Sequence, residues 1–254
     1  MDYRYKGRLY QSINAMEKIQ DKPTISIIIP ALNEEKNIQA TAEEVIAAIG
    51  DGFSSYEILI FDDGSKDHTG AIVDELASKN KNIRVIHNAN TLGLGRNYKR
   101  GVELAKNEYI IMIPGDNQFL KKSIKRLFLS LGEVDIIVPY TLNYRIRPFH
   151  RQVISRAFTL LINLLFELKL RYYNGIVIHK KGIIKSVPIS SNGFAYQAEI
   201  LVRLIRSGHS YKEVGVDILE RTHGKSSAFR PKNIYNVLKT ISKLFIDTRI
   251  NNKI

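Results

Sequence analysis

Short apolar runs alternate with helical patterns from Thr24 to Tyr140. Five of these runs are almost continuously apolar, which is typical of parallel β-strands that are covered on both faces. The predicted strands are Ile25–Ile29, Ile58–Phe61, Val85–His87, Tyr109–Ile113 and Ile136–Tyr140. Repeated β–α units of this kind predict an α/β fold, with a Rossmann-like, mostly parallel central sheet flanked by helices.

Two helices are predicted after the first two strands. Asn33 is a suitable N-cap for the first helix, because its side chain can accept a backbone hydrogen bond. The inward stripe of this helix is Ile38, Val45, Ile46 and Ile49. The second helix is expected to begin at Asp67 or Thr69, with Ile72, Val73 and Leu76 facing inward.

The second half of the chain has a different pattern. Strands are predicted at Gly175–His179 and Tyr211–Leu219, and helices at Gln152–Lys169 and Phe194–Arg206. Pro231 opens a last helix whose apolar residues share one face, with lysines off that face. The apolar residues are Ile234, Val237, Leu238, Ile241, Leu244 and Phe245, and the lysines are Lys232, Lys239 and Lys243.

Composition narrows the classes of function. The 254 residues are 44% hydrophobic, which is enough for one sizeable core. The absence of cysteine excludes disulfides, thiolate zinc sites and a cysteine nucleophile. A formal charge of +13 favours an anionic partner. Because the basic residues are dispersed and no recognition motif is present, we expect no nucleic-acid partner.

No segment has the pattern of a leader or of a membrane span. Met1 to Gln20 lacks an apolar core, and no run approaches the ~20 apolar residues that a spanning helix needs. The apolar stretch Phe158–Leu168 and the basic helix Lys232–Phe245 could rest on an anionic leaflet. The expected location is therefore the cytoplasm, with peripheral contact at the inner face of the membrane.

Acidic and amide side chains follow three of the predicted strands. They lie in Pro30–Glu35, Asp62–Ser65 and Pro114–Gln118. Because ligands of doubly wound sheets bind beyond the carboxyl ends of the strands, we expect these segments to meet in one crevice. Oxygen ligands suit a hard divalent cation and ribose hydroxyls. A glycine-rich stretch, Leu92–Arg96, follows the third strand but matches neither a Walker loop nor a dinucleotide fingerprint.

These segments together resemble glycosyltransferase family 2, whose members have the nucleotide-diphospho-sugar transferase (GT-A) fold. The resemblance covers Thr24 to Phe229 and is closest to polyprenyl-phosphate glycosyltransferases such as dolichyl-phosphate mannosyltransferase. The residues that carry it are Ile29-Pro30, Asn33-Glu34, Asp62-Asp63-Gly64-Ser65, Leu92-Gly93-Leu94-Gly95, Gly193-Phe194-Ala195-Tyr196-Gln197-Ala198-Glu199 and Arg221 to Ser226. It implies a catalytic domain at 23–229, an N-terminal extension at 1–22 and a C-terminal basic amphipathic helix at 230–254.

The resemblance also implies a role for individual residues. The donor nucleotide sugar would be bound by Pro30, Leu32, Glu34, Asp62, Asp63, Gly93, Asp116, Arg221 and Lys225. A divalent cation, Mg²⁺ or Mn²⁺, would be held by Asp116 and Gln118. The acceptor's phosphate would be held by Arg151 and Ser155, which are four residues apart and hence on one helical face. Catalytic positions would be Asp116, Gln197 and Glu199.

Two positions depart from the family pattern. Pro114 stands where the metal motif has its first acid, so only Asp116 remains, with Asp63 as a conceivable substitute. The arginine that usually follows the fifth strand is also missing, and Arg145 or Arg147 would take its place. Because of the first departure, the alternative that the protein is a non-catalytic homologue that only binds the donor stays open.

The implied activity is inverting transfer of a sugar from a nucleotide diphosphate. A phosphate acceptor needs no general base, so Gln197, which stands where relatives with hydroxyl acceptors often carry an acid, favours a polyprenyl phosphate. The alternative is a soluble hydroxyl acceptor with Glu199 as the base. The histidines lack metal-ligand spacing, and surface positions are expected for His87, His150, His179 and His209.

Overall fold

The computed structural model describes residues 22–221 and 230–251. Within these residues the chain forms a seven-stranded sheet in the order β3-β2-β1-β4-β6-β5-β7. The strands are β1 (Thr24–Ala31), β2 (Ser55–Asp62), β3 (Ile83–His87), β4 (Tyr109–Met112), β5 (Ile136–Thr141), β6 (Ile178–Lys180) and β7 (Tyr211–Val216). All neighbours pair in parallel except β6, which runs antiparallel to both β4 and β5. The predicted mostly parallel sheet is confirmed.

Eight α-helices connect the described strands or follow them. They are α1 (Ile38–Ile49), α2 (Thr69–Lys79), α3 (Leu94–Leu104), α4 (Lys121–Phe128), α5 (Phe149–Phe166), α6 (Lys181–Ile184), α7 (Tyr196–Arg206) and α8 (Pro231–Phe245). A 3₁₀ turn at Tyr144–Ile146 precedes α5, and a π-helical segment, Ile246–Ile250, continues α8.

Helices cover both faces of the sheet and divide the core in two. On one face α1, α2 and α4 contribute residues such as Val45, Val73 and Leu127. On the other face α3, α5, α7 and α8 contribute Tyr98, Phe166, Leu201 and Leu244 among others. Both faces of the central strands are therefore buried, which explains their continuous apolar sequences.

The C-terminal helix belongs to the same core. Ile241 and Leu244 of α8 are buried, and Arg203 of α7 pairs with Asp247 just beyond α8 at 3.3 Å. The segment predicted to begin at residue 230 is thus a helix that packs directly against the rest of the chain. The predicted extension at 1–22 lies almost wholly outside the described residues.

The expectation that Asn33 caps the first helix is wrong. The helix begins at Ile38, and Asn33 lies before it in a left-handed conformation with φ of 55°. Its side-chain oxygen accepts a hydrogen bond from the backbone N–H of Lys66 at 2.8 Å. Asn33 therefore ties the loop after β1 to the loop after β2.

Candidate active site

The loops that follow β1 and β2 are joined by hydrogen bonds to backbone N–H groups. The N–H of Asn33 donates to Ser65 Oγ at 3.0 Å, and that of Glu34 donates to Thr69 Oγ1 at 2.8 Å. These side chains come from the short polar residues of the Asp-Gly-Ser segment and of the turn that opens α2. The strand ends are thereby held side by side, as their parallel pairing requires.

Asp62 ends β2 and is held in its charged form. Its Oδ1 accepts the N–H of Ser65 at 3.0 Å, and its Oδ2 lies 3.0 Å from Nδ1 of His87. Burial alone would raise the pKa of Asp62, but these hydrogen bonds outweigh burial and lower the pKa. His87, at the end of β3, also contacts Asp74 and is half exposed, in agreement with the expected surface position.

Asp63 organises the glycine-rich loop. Its carboxylate accepts the backbone N–H groups of Leu92 and Gly93 at 2.9 and 3.0 Å, together with the side-chain amide of Asn88 at 2.9 Å. Both oxygens are thus engaged by this loop, so the suggestion that Asp63 replaces the acid lost at Pro114 gains no support. Its predicted contribution to donor binding would act through the position of Gly93.

The acidic turn after β4 is fixed by contacts with β1 and α1. The N–H of Gly115 donates to the carbonyl of Pro30, and that of Asn117 to Thr41 Oγ1 in α1, both at 3.0 Å. A Cβ at Gly115 would come within 3.0 Å of Ile38 and within 3.3 Å of Ala31, so glycine permits the close approach to β1. Asp116 is thereby aimed at the edge where β1 ends.

Glu34 and Asp116 meet at this edge with Arg221. Arg221, from the segment after β7, forms an ion pair with Glu34 Oε1, and its Nη1 lies 4.0 Å from Asp116 Oδ2. Asp116 Oδ1 is buried and accepts no hydrogen bond from the described residues. Burial raises the pKa of Asp116, which means that its charged form calls for a compensating cation.

A small cavity of about 130 Å³ opens beside these acids. Arg147, Arg151 and Arg221 line it together with Gln118, whose side-chain amide donates to the carbonyl of Leu219 at 3.1 Å. Burial lowers the pKa of Arg151, and the nearby Arg147 adds to that effect. The cavity is thus lined by three arginines and one acid, Glu220, and this excess of positive charge suits an anion.

Only part of the predicted acceptor pair lies at this cavity. Arg151 lines it, whereas Ser155 is one helical turn further along α5 and is absent from the lining residues. Arg147 takes the place beside Arg151, and Tyr172 accepts a hydrogen bond from it at 2.9 Å. Of the two arginines proposed to replace the missing one after β5, the structure therefore favours Arg147.

Gln197 and Glu199 are buried in α7, away from the cavity. Glu199 accepts hydrogen bonds from Ser190 and Ser191 and lies 3.7 Å from Arg203. Its carboxylate is thus fully engaged in holding a turn, which weighs against the predicted role as a base.

Gln197 faces a buried histidine instead of the crevice. Its side-chain nitrogen lies 3.4 Å from Nε2 of His179, whose other ring nitrogen contacts the hydroxyl of Tyr98. His179 is fully buried, and burial lowers its pKa to about 3. The expected surface position of His179 is therefore wrong, because β6 runs through the core.

The structure brings together most of the predicted donor and metal residues. Glu34, Asp116, Gln118 and Arg221 share one edge of the sheet, and Pro30, Leu32 and Asp62 stand at the ends of the strands that form it. Lys225 lies outside the described residues. The described part of the chain holds no group of three or more acidic, histidine or cysteine side chains arranged for a metal.

This fold and edge define the class of α/β transferases that use nucleotide-diphospho-sugars. Comparison with known families agrees, since the pattern of Glycosyl transferase family 2 matches residues 26–192, more than half of the chain. The chain belongs to this family and is a glycosyltransferase.

Several known proteins are similar in sequence. A dolichyl-phosphate beta-glucosyltransferase of Trichomonas vaginalis is 30% identical over 58% of this chain and 49% of its own length. A polyprenol monophosphomannose synthase of Mycolicibacterium smegmatis is 25% identical over 79% of each chain. An uncharacterised protein of Methanocaldococcus jannaschii is 29% identical over 85% of this chain and 96% of its own. The resemblance to polyprenyl-phosphate glycosyltransferases is therefore confirmed.

Solved structures confirm the GT-A fold. Glucosyl-3-phosphoglycerate synthase from Mycobacterium tuberculosis, in complex with Mn²⁺, uridine diphosphate and phosphoglyceric acid, superposes with a TM-score of 0.68. The similarity covers 88% of this chain and 78% of that one at 18% identity. Identity at this level shows the shared architecture and no more.

The contact between His87 and Asp62 predicts a pH effect on stability. Hydrogen bonds to Asp62 and Asp74 raise the pKa of His87, so its stabilising effect is complete below the ordinary value of 6.5 and is lost as the pH rises through the folded-state pKa. Because His87 is half exposed, screening limits the effect to about 1 kcal/mol or less. Urea unfolding from about pH 6 to pH 9 measures it. The same slope in a His87→Asn variant would contradict this assignment.

Proposed function

We propose that the enzyme transfers a sugar from a nucleotide diphosphate to the phosphate of a polyprenyl lipid, with inversion at the anomeric carbon. The observation that carries this proposal is the cavity in which Arg147, Arg151 and Arg221 converge beside Asp116. An anion in this cavity would lie next to the acids that are predicted to face the donor. The names of the two lipid-phosphate glycosyltransferases among the relatives support the same acceptor.

The donor half of the site lies at the ends of β1, β2 and β4. Leu32 is 39% exposed there, an apolar surface suited to a nucleobase, and Glu34 and Asp62 are nearby acids for the nucleoside. Arg221 would contact the diphosphate. Asp63 would act indirectly by holding the loop at Gly93.

The acidic turn fits one divalent cation. Mg²⁺ is commonly bound through one or two carboxylates together with substrate phosphates, and Asp116 offers a buried oxygen with no other described partner. Gln118 is the second predicted ligand. A bound cation would neutralise the negative charge that develops on the departing diphosphate. The complexes of the structural neighbours with Mn²⁺ and Mg²⁺ support this proposal.

The chain's own residues supply orientation and charge. Arg147 and Arg151 would hold the acceptor phosphate so that one of its oxygens faces the anomeric carbon, opposite the leaving diphosphate. Arg221 would stabilise that diphosphate as the bond breaks, and electrostatic stabilisation of this kind is usually the largest catalytic contribution. Because the attacking oxygen is already anionic, the site needs no base, consistent with the buried engagement of Glu199.

An exposed apolar stripe on α5 supports a lipid acceptor. Phe149, Val153, Leu160 and Leu164 recur on one face of the helix, and Phe149 and Leu164 are 79% and 70% exposed. Arg151 belongs to the same helix but lies two residues after Phe149, so it does not share the face of the stripe. No helix among the described residues is long and apolar enough to cross a bilayer. We propose that α5 lies on the membrane surface.

Exposed residues of α8 extend this surface. Phe166 of α5 and Phe245 of α8 pack with ring centroids 6.2 Å apart, so the two helices adjoin. Ile234 and Leu238 are exposed on α8, and Lys232 and Lys239 are exposed beside them. Cations next to an apolar face fit an anionic leaflet. The proposed location is the cytoplasmic face of the membrane.

Arg151→Ala should weaken acceptor use and spare donor binding. Loss of a charge-assisted hydrogen bond costs about 1.5–3 kcal/mol, or about 10- to 100-fold in affinity. The measurement is KM for polyprenyl phosphate alongside the Kd for the donor, over UDP-, GDP- and dTDP-sugars with Mn²⁺. Arg126→Ala, at an exposed arginine of α4 on the opposite face of the sheet, is the matched control. An unchanged KM, or transfer only to a soluble hydroxyl acceptor, would reject the lipid phosphate.

Replacing Leu160 and Leu164 together by Ser should release the protein from membranes. Each fully buried leucine contributes about 1.5–3 kcal/mol, so even partial insertion predicts at least a tenfold loss of binding, on the order of 1.4 kcal/mol. Cosedimentation with vesicles of phosphatidylcholine and phosphatidylglycerol measures this. Leu129→Ser is the control, because Leu129 is 80% exposed but lies just after α4. Equal sedimentation of the double variant would contradict the role of α5.

A further inference from the structure

Two acids, Glu34 and Asp116, lie close together where the donor is proposed to bind, and both are largely shielded from water. The side chains of Glu34 and Asp116 are only 9% and 15% exposed. Holding two carboxylates in such a place requires positive charge close by.

Arg221 supplies that charge in this structure. Its guanidinium group contacts Glu34 and approaches Asp116 to 4.0 Å, so it bridges the two acids. Glu34 is also held from the other side by the amide of Asn37, which donates to Oε2 at 2.7 Å. The second oxygen of Asp116 has no hydrogen-bond partner among the described residues. Arg221 thus lies against both acids.

A divalent cation on Asp116 would stand close to this guanidinium. Like charges a few ångströms apart repel strongly where water is scarce. Because Pro114 replaces the first acid of the motif, no further carboxylate of this turn offsets that repulsion. The repulsion between the cation and Arg221 falls if Arg221 turns away from the acids. In the proposed reaction, the donor's diphosphate is the nearest anion to which Arg221 could turn.

We propose that Arg221 and the divalent cation exchange at Glu34 and Asp116. Arg221 neutralises the two acids in the free enzyme and moves to the diphosphate when the cation and the nucleotide bind. The cation alone therefore binds weakly, and the nucleotide strengthens its binding by drawing Arg221 away. This inference rests on the proposed donor site, and it makes Arg221 the residue that couples the two ligands.

Titration with Mn²⁺ alone tests the exchange directly. Free Mn²⁺ is followed by electron paramagnetic resonance in the wild type, Arg221→Gln and Arg221→Lys. Removing the positive charge should tighten Mn²⁺ binding by at least about tenfold in Arg221→Gln, whereas Arg221→Lys should stay near the wild type. Arg126→Gln, which removes an equal charge from the exposed surface of α4, should leave Mn²⁺ affinity unchanged.

The same titrations with UDP and with GDP test the coupling. In the wild type the bound nucleotide should tighten Mn²⁺ binding, and in Arg221→Gln most of that gain should be lost. Equal Mn²⁺ affinity of wild type and Arg221→Gln, or a nucleotide effect that survives the substitution, would overturn the exchange. Undetectable Mn²⁺ binding in every variant would overturn it as well. Sugar transfer to polyprenyl phosphate is measured independently in the acceptor assay, so a failure of the exchange can be told apart from a failure of the proposed function.

Discussion

The parallel pairing of β1 with β2 on one side and β4 on the other is the constraint on which the site depends. Ala31 pairs with Asp62, and the N–H of Gly115 reaches the carbonyl of Pro30, so three strands end at one level. Every acid at the proposed donor site is attached to one of these ends. A shift of one residue in either pairing would turn the side chains to the opposite face of the sheet.

The charged side chains at this edge are of both signs. Glu34 and Asp116 are paired with Arg221, which lines the same small cavity as Arg147 and Arg151. In the proposed function the acids would suit a cation and ribose, and the arginines would suit phosphate, so the donor and the acceptor would lie on opposite sides of the reacting carbon. The exposed apolar stripe of α5 would be the part of the enzyme that meets the membrane.

Sequence patterns predicted the sheet, the converging strand ends and the position of Asp116, because these follow from local periodicity and from the general rule for α/β ligand sites. They did not predict the engagement of Asp63 with Gly93 or of Glu199 with Ser190, since both contacts depend on tertiary packing. A strand ending at His179 was predicted, but the burial of His179 was not, because it depends on the pairing of β6 between β4 and β5. The sequence left Arg145 and Arg147 as equal candidates for the missing arginine. It could not choose between them, because the orientation of Arg147 depends on its contact with Tyr172.

The most direct test of one united donor site is sugar transfer by Asp116→Ala, measured with the preferred nucleotide sugar and polyprenyl phosphate. The turn that carries Asp116 is held by backbone N–H groups of Gly115 and Asn117, which the substitution leaves in place. The account predicts an unchanged melting temperature and a loss of transfer of about 100-fold or more, as when a charge-stabilising group is removed from an active site. Full transfer by a folded Asp116→Ala protein would contradict it.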